Sequence, residues 1–232
     1  MSDPADPPAP EKSRAELQAE RVIRRAERNL RKASAEGFMA GVCAMLRPGD
    51  TVLDCGANMG VVSAQLAATP AQVIAYEPDP FAIARLRERF AETPNVTLVN
   101  AAVAARPGTV RLMRASNFDD NPETASVKST ILAGGRSIDD STGVDVTCLS
   151  FLDILREKAS PDRPLAFVKM DIEGAELEIL ETMLAQDLFG HVRCLVAETH
   201  ERKFKDLRPR FRALRAEVTA RFAPGHVSLD WI

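Results

Sequence analysis

Short apolar segments alternate with helical patterns along most of this chain, and that alternation is the strongest constraint on its fold. Extended apolar patterns occupy residues 51–55, 72–76, 96–100, 166–170 and 192–198, and amphipathic helical patterns separate most of them. Strands joined through helices form βαβ units, which require a parallel sheet covered by helices. The sequence therefore predicts a doubly wound, mostly parallel α/β sheet with helices on both faces. In such sheets ligands bind beyond the carboxyl ends of the strands.

The chain divides by composition into three segments. Residues 1–12 are rich in Pro, Ala and Asp and offer almost nothing to bury, so we expect a disordered tail. Residues 13–47 form an N-terminal helical extension. Ser13 and Glu16 at its start have the spacing of a capping box. A second helix is expected within this extension from about residue 36 to residue 46. Residues 48–232 carry the alternation of strands and helices and form the predicted ligand-binding domain.

The charge of the chain is nearly balanced, with 30 basic and 33 acidic residues and a formal net charge of −3. This balance gives no general attraction to nucleic acid or to an anionic membrane, so neither is expected as a partner. No segment approaches the roughly 18 consecutive apolar residues of a membrane span. The N-terminus lacks a signal-peptide pattern, and the four cysteines lack the spacing of a zinc site. We therefore expect a cytoplasmic protein.

The first extended segment ends in a turn whose residues suit a ligand loop, Asp54-Cys-Gly-Ala-Asn-Met-Gly60. Gly56 and Gly60 permit a sharp turn, and Asn58 adopts left-handed conformations more easily than most residues. The spacing does not match the Gly-x-Gly-x-x-Gly fingerprint of dinucleotide loops. The carboxylate of Asp54 also favours an amino-bearing ligand over a phosphate. We predict that this turn, including Ala57, binds part of a nucleoside ligand.

A second acidic residue follows the next strand at the spacing expected for a ribose contact. Glu77 and Pro78 come directly after the segment 72–76, with Glu77 about 20 residues beyond the glycine turn. In doubly wound folds an acid at this distance accepts hydrogen bonds from the ribose hydroxyl groups. Two acids in register after consecutive strands therefore predict a nucleoside site.

Together these motifs resemble the FkbM-type family of S-adenosylmethionine-dependent methyltransferases. The segment from Val168 to Glu176, Val-Lys-Met-Asp-Ile-Glu-Gly-Ala-Glu, is similar to the family's most distinctive motif, and the turn at 54–60 and Tyr76-Glu77-Pro78 resemble it too. The resemblance implies the class I, Rossmann-like methyltransferase fold of seven-stranded type. It also implies S-adenosylmethionine as donor, S-adenosylhomocysteine as product and residues 48–232 as the donor-binding domain. Further residues that it places near the donor are Asn100, Ala101, Ala102 and Asp171.

The resemblance further implies O-methylation of a hydroxyl group, often on a sugar or a polyketide-type natural product. A hydroxyl nucleophile must lose a proton, so a base near the acceptor accelerates the transfer. Asp171 and Glu173 follow one strand, and Glu198 and His200 follow another. His200 and Asp171 are the favoured bases, and the sequence does not separate them. The same four side chains could ligate a divalent cation, but no metal is predicted.

Several residues and segments are expected to support this site. Lys169 would pair with a neighbouring acid, and Glu176 would be a first-turn acid stabilised by the helix dipole. The basic side chains between Arg21 and Lys32 would form a solvated face, and the apolar stripe of that helix could support a homodimer. A long loop over residues 115–143 is a candidate for acceptor contacts, through Asn117, Lys128, Ser129 and Thr130.

Other functions remain open on the same fold class. A nicotinamide-dependent oxidoreductase would need a pyrophosphate loop that the glycine spacing does not supply. A non-catalytic nucleoside-binding module would tolerate loss of the donor residues, which are all present. A methyltransferase acting on a macromolecule is the third alternative. The preferred hypothesis is a methyltransferase for a small hydroxylated acceptor.

Overall fold

A computed structural model describes residues 13–115, 129–132 and 138–231 of the chain; for residues 115 and 138–142 it describes the backbone only. The described residues divide into two compact units, residues 13–40 and residues 41–231. Among the described residues, none of the helices is both long and apolar enough to cross a membrane.

The N-terminal unit lies almost entirely within one helix, α1 (Arg14–Met45). The predicted capping box is present: the backbone N–H of Ser13 donates to Glu16 Oε2 at 2.8 Å, and that of Glu16 donates to Ser13 Oγ at 3.3 Å. The expectation of two separate helices is wrong, because α1 continues through residues 33–37 without a break. Gly37 lowers helix stability by about 1 kcal/mol relative to alanine, which is too little to end a helix flanked by good helix formers.

Six parallel strands form the central sheet of the second unit: β1 (Thr51–Cys55), β2 (Gln72–Tyr76), β3 (Val96–Val99), β7 (Phe167–Met170), β8 (Leu195–Ala197) and β9 (Val227–Ser228). Their spatial order is β3-β2-β1-β7-β8-β9. Strand β1 lies in the middle, paired with β2 on one side and β7 on the other. The carboxyl ends of β1, β2, β7 and β8 therefore meet at one edge of the sheet.

Helices connect the strands as the alternating pattern predicted. They are α2 (Val61–Ala67), α3 (Pro80–Arg89), α4 (Phe151–Lys158), α5 (Glu176–Ala185) and α6 (Arg208–Arg221), with short 3₁₀ turns at Leu188–His191 and Lys205–Leu207. Strand β7 is buried along its whole length, and large apolar side chains such as Phe151, Phe167 and Phe211 are fully buried beside the sheet. The doubly wound α/β class is confirmed.

A smaller sheet consists of three strands, β4 (Ala102–Ala104), β5 (Gly108–Ala115) and β6 (Ile138–Ser150). Their spatial order is β4-β6-β5, and β5 runs antiparallel to β6. The sequence did not predict that these strands form a sheet of their own. The expectation of a loop through residue 143 is wrong at Ile138, Asp139 and Gly143, which pair with β5 on the two sides of a bulge between Met113 and Arg114. Polar composition did not prevent pairing here, because the partner strand satisfies the backbone groups.

Candidate active site

The turn after β1 has the backbone conformation that its residues predicted. Gly56 and Gly60 have φ angles of 80° and 76°, and Asn58 is left-handed at 47°. A Cβ at Gly56 would overlap the backbone carbonyl oxygen of Asp171, and one at Gly60 would lie 2.7 Å from Leu86 Cδ2. Gly56 therefore lets the turn pack against the loop after β7, and Gly60 lets it pack against α3.

Beneath this turn lies a buried ion pair. Asp54 is fully buried, and its Oδ2 accepts a hydrogen bond of 2.6 Å from Ser63 Oγ. Its Oδ1 lies 3.3 Å from Lys169 Nζ and accepts no hydrogen bond from the residues that the structure describes. Lys169 donates to the carbonyl oxygen of Gly56 at 2.7 Å and lies 3.4 Å from Asp171 Oδ2. Burial alone would lower the pKa of Lys169, but the two carboxylates raise it, so the ammonium charge is kept.

Glu77 closes the turn from the end of β2. Its Oε2 accepts a hydrogen bond of 2.7 Å from the backbone N–H of Asn58, and its Oε1 accepts one of 2.8 Å from that of Asp79. Burial raises the pKa of Glu77 to about 7, against the effect of these two donors. The side-chain amide of Asn100 donates to the carbonyl oxygens of Glu77 and Pro78 at 2.9 and 3.1 Å. Each Glu77 oxygen keeps a second lone pair for a hydroxyl donor.

The loop after β7 contains two consecutive residues with positive φ, Glu173 at 57° and Gly174 at 114°. Thr130 Oγ1 donates a hydrogen bond of 2.7 Å to the carbonyl oxygen of Glu173, and Glu176 Oε2 accepts one of 2.8 Å from the N–H of Gly174. A left-handed glutamate is uncommon, so it needs such support from its surroundings. The loop is thereby fixed on both sides.

Glu176 also connects this loop to the one after β8. Its carboxylate is fully buried, and Oε1 lies 3.1 Å from both the backbone nitrogen and Nδ1 of His200. On the other side of the imidazole ring, Nε2 lies 3.2 Å from Glu173 Oε2 and 3.7 Å from Asp171 Oδ1. Burial alone would lower the pKa of His200, but the bond to Glu176 and the surrounding carboxylates raise it to about 9. The ring is therefore cationic at neutral pH.

Glu198 completes this cluster and is its least engaged carboxylate. Its Oε1 lies 4.0 Å from His200 Nε2, and its side chain is 36% exposed. Burial, followed by the negative charge of Asp171, raises the pKa of Glu198 to about 7. Burial likewise raises the pKa of Glu173, although His200 and the ammonium of Lys203, 2.7 Å away, oppose the shift. Glu198 thus combines access to the surface with a pKa near neutrality.

The same cluster contains one group of side chains that could hold a metal ion. Single ligand atoms from Asp171, Glu198 and His200 lie within 4.8 Å of one another. Glu173, the fourth residue considered as a ligand, is not part of this group. Exposed acidic groups often converge without a metal, and the cationic ring of His200 already compensates part of their charge. The geometry therefore permits a metal without requiring one.

The donor residues and the acid-base residues predicted from the sequence thus lie at one sheet edge. Ala57, Ala101 and Ala102 are buried beside the turns, whereas Asn100 is exposed. Sequence reasoning missed the bridging role of Glu176 and the contacts of Lys203 and Thr130. Glu176 had one available signal, its place within the Asp171–Glu176 motif. Of the acceptor-loop residues, Asn117 and Lys128 lie outside the described residues.

Comparison with known proteins identifies the family to which these motifs point. The model of the methyltransferase FkbM domain matches residues 54–221. The chain is 29% identical over 185 residues to the methyltransferase sdnD of Sordaria araneosa, covering 70% of each chain. It is 27% identical over 180 residues to the 31-O-demethyl-FK506 methyltransferase FkbM of Streptomyces tacrolimicus, covering 67% of each. A segment of 53 residues is 47% identical to the ribosomal RNA small subunit methyltransferase A of Thermotoga petrophila, covering 23% of this chain and 20% of that one.

The last similarity corrects the expectation that nucleic acid is not a partner. That expectation rested on the net charge of the whole chain, and it is wrong as an exclusion, since part of the chain resembles an enzyme of ribosomal RNA. Net charge averages over segments of opposite sign. Residues 21–32 alone contain six basic side chains and one acidic side chain, so local charge is far from balanced.

Proposed function

This chain belongs to the methyltransferase FkbM domain family, and we propose that, as an S-adenosylmethionine-dependent enzyme, it methylates the hydroxyl oxygen of a small acceptor. Membership of this family favours methyl transfer over the two alternatives, a nicotinamide-dependent oxidoreductase and a non-catalytic nucleoside-binding module. The observation that carries the oxygen assignment is the contact between the donor turn and the acidic cluster. The N–H of Asp171 donates to the carbonyl oxygen of Cys55 at 3.0 Å, and Lys169 joins Gly56 to Asp171. The acidic cluster, which includes Glu198, therefore adjoins the donor turn.

The residues at the donor turn fit S-adenosylmethionine. Glu77 offers free lone pairs for the ribose hydroxyl groups, and Asp54 has a buried oxygen that accepts no hydrogen bond from any described residue. In the ion pairs that the described residues form around the turn and the cluster, five carboxyl groups face three cationic side chains, Lys169, His200 and Lys203. This excess of acid favours a ligand with positive charge. When bound, the donor supplies a methyl group activated by its sulfonium.

Glu198 is the general base of this proposal. A base works best when its pKa lies near the operating pH, and that of Glu198 is raised to about 7. His200 is protonated until the pH approaches 9, so it does not accept the proton at neutral pH. Asp171 is engaged by Lys169, which leaves Glu198 as the accessible carboxylate. His200 then orients Glu198 and Asp171 and offsets their charge.

The small acceptor is supported by one relative. The name of the Streptomyces enzyme specifies the substrate 31-O-demethyl-FK506, and the similarity to this enzyme covers two thirds of each chain. The similarity to the ribosomal RNA enzyme covers less than a quarter of this chain. Methylation of a macromolecule such as ribosomal RNA is therefore the competing hypothesis that the test must distinguish.

The proposal is tested with donor carrying a deuterated methyl group. The enzyme is incubated in separate reactions with free sugars, with hydroxylated macrolides and with ribosomal RNA, and the products are analysed by mass spectrometry. We expect the label on an oxygen atom of a small acceptor. Label on a nitrogen atom, or on RNA alone, would overturn the assignment while leaving the family intact.

A further inference from the structure

Six cationic side chains lie on one face of α1, outside the proposed active site. We call this the basic face, and it consists of Arg21, Arg24, Arg25, Arg28, Arg31 and Lys32. At the rotation of an α-helix, about 100° per residue, these positions fall within an arc of about 120°. The side chains of the first four border an open space of about 410 Å³. The cations are thus concentrated on one side of the helix.

Within residues 13–115, 129–132 and 138–231, the charge of the basic face is only partly compensated. Arg24 pairs with Glu20 at 2.7 Å, and Lys32 lies 3.7 Å from Glu36. Among the described residues, the other four arginines have no ion pair. Like charges three or four positions apart destabilise a helix, and Arg21, Arg25, Arg28 and Lys32 form such a series. A bound polyanion would relieve this repulsion.

The basic face is also accessible along its whole length. Every residue from 13 to 34 is exposed except Glu20, which is partly buried. Arg21 and Lys32 are separated by about 16 Å along the helix axis, at 1.5 Å per residue. This distance is long enough to contact several successive phosphates of one strand. Five of the six cations are arginines, whose planar fork donates two hydrogen bonds to one phosphate.

The composition of the helix favours a polyanion in water over a lipid surface. Helices that lie on membranes combine a basic face with an apolar face that contains Trp, Phe or Leu. Here residues 13–37 contain no aromatic residue, and the side opposite the basic face presents Ala19, Ala26 and Ala33 beside Ile23 and Leu30. Pairing through the basic faces of two copies would increase the repulsion.

We propose that the basic face of α1 binds the phosphodiester backbone of a nucleic acid. Backbone contacts by arginine carry no sequence information, and this segment has no aromatic side chain on which bases could stack. The predicted binding is therefore independent of sequence and strongly dependent on salt. The proposal is independent of the methyl acceptor, because the basic face could hold RNA or DNA whether or not either is methylated.

The test measures fluorescence anisotropy of a labelled 20-nucleotide RNA, and of DNA of the same sequence, with the full chain. Four phosphate contacts predict that log K falls with log salt at a slope of about −3 for single strands. The variant R21Q/R24Q/R25Q/R28Q should weaken binding at least tenfold and flatten that slope. Glutamine keeps the helix propensity of arginine closely enough for circular dichroism to verify that α1 persists.

The control variant carries the same change of charge in the second unit, R85Q/R87Q/R106Q/R212Q, at four exposed arginines. It should retain most of the binding. Equal loss in both variants would overturn the proposal, because net charge rather than the basic face would then explain the affinity. Absence of binding to RNA and DNA at 50 mM salt would overturn it too. So would capture by anionic phosphatidylserine vesicles in preference to both probes. If the affinities for RNA and DNA differ, the nucleic acid that binds more tightly is the preferred ligand of the basic face.

Discussion

The two halves of the proposed active site are fixed by different kinds of contact. In the donor half, apart from the buried pair of Asp54 and Lys169 beneath the turn, the contacts are made mainly by backbone groups. Glu77 accepts from the N–H groups of Asn58 and Asp79, and Asn100 donates to two carbonyl oxygens. In the acceptor half, charged side chains hold one another, with His200 surrounded by carboxylates. Backbone contacts depend on conformation, whereas paired charges depend on protonation. The donor half should therefore respond to changes of shape and the acceptor half to changes of charge.

The largest effect is expected from Gly56→Ala. A methyl group at this position overlaps the carbonyl oxygen of Asp171, and the residue has a φ of 80°. The variant should lose more than about 3 kcal/mol of unfolding free energy, as expected when overpacking adds to backbone strain. Binding of S-adenosylhomocysteine, measured by calorimetry, should fall below detection. Gly190→Ala is the matched control, because nothing lies within 4 Å of its Cβ position. Normal binding by Gly56→Ala would refute this description of the donor half.

Glu198→Gln should reduce kcat by about 10²- to 10⁴-fold, the range typical for loss of a general base. Affinity for S-adenosylhomocysteine should change less than threefold, because no side-chain contact of Glu198 with a described residue fixes the donor turn. Single-turnover rates and calorimetry measure the two quantities separately. Glu217→Gln removes an exposed carboxylate far along α6 and should leave both unchanged. An equal loss of donor affinity and of rate would contradict the distinction between the donor half and the acceptor half.

Glu176→Gln should have an intermediate effect, a decrease in kcat of about 10- to 100-fold, because removing charge from a buried bond costs about 1.5–3 kcal/mol. Its amide can still accept a hydrogen bond, but it no longer balances the charge of His200. The alkaline limb of the pH–rate profile should move below pH 9. Glu178→Gln, an exposed acid two positions along α5, is the control. An unchanged profile would assign Glu176 a purely structural role.

The smallest effect is expected from removing metal. If His200 compensates the charge of the cluster, turnover in excess chelator should stay within about twofold of the untreated rate. The check compares initial rates before and after dialysis against chelator, then after addition of Mg²⁺ or Mn²⁺. Loss of activity that a divalent ion restores would instead place a cation among Asp171, Glu198 and His200.

The difference between the halves also explains how far the sequence could predict them. The donor half is built from short contiguous motifs, so the glycine turn and the acid after β2 could be recognised directly. In the acceptor half, Glu176 looked like an ordinary first-turn acid, because its partner lies 24 positions away on the neighbouring strand end. Only the order of β7 and β8 in the sheet brings them together. The ionisation of His200 follows from that same arrangement, which no spacing in the chain reveals.

The pH dependence of kcat tests the central claim most directly, when it is measured with saturating donor so that the raised pKa of Glu77 in the free enzyme does not contribute. Glu198 must be ionised to accept a proton, so activity should rise with pH through about 7; His200 must stay protonated, so activity should fall above about 9. In Glu198→Gln the residual activity should lose the acid limb near pH 7 and keep the alkaline one. An acid limb that persists unchanged in this variant would contradict the assignment of Glu198 as the base.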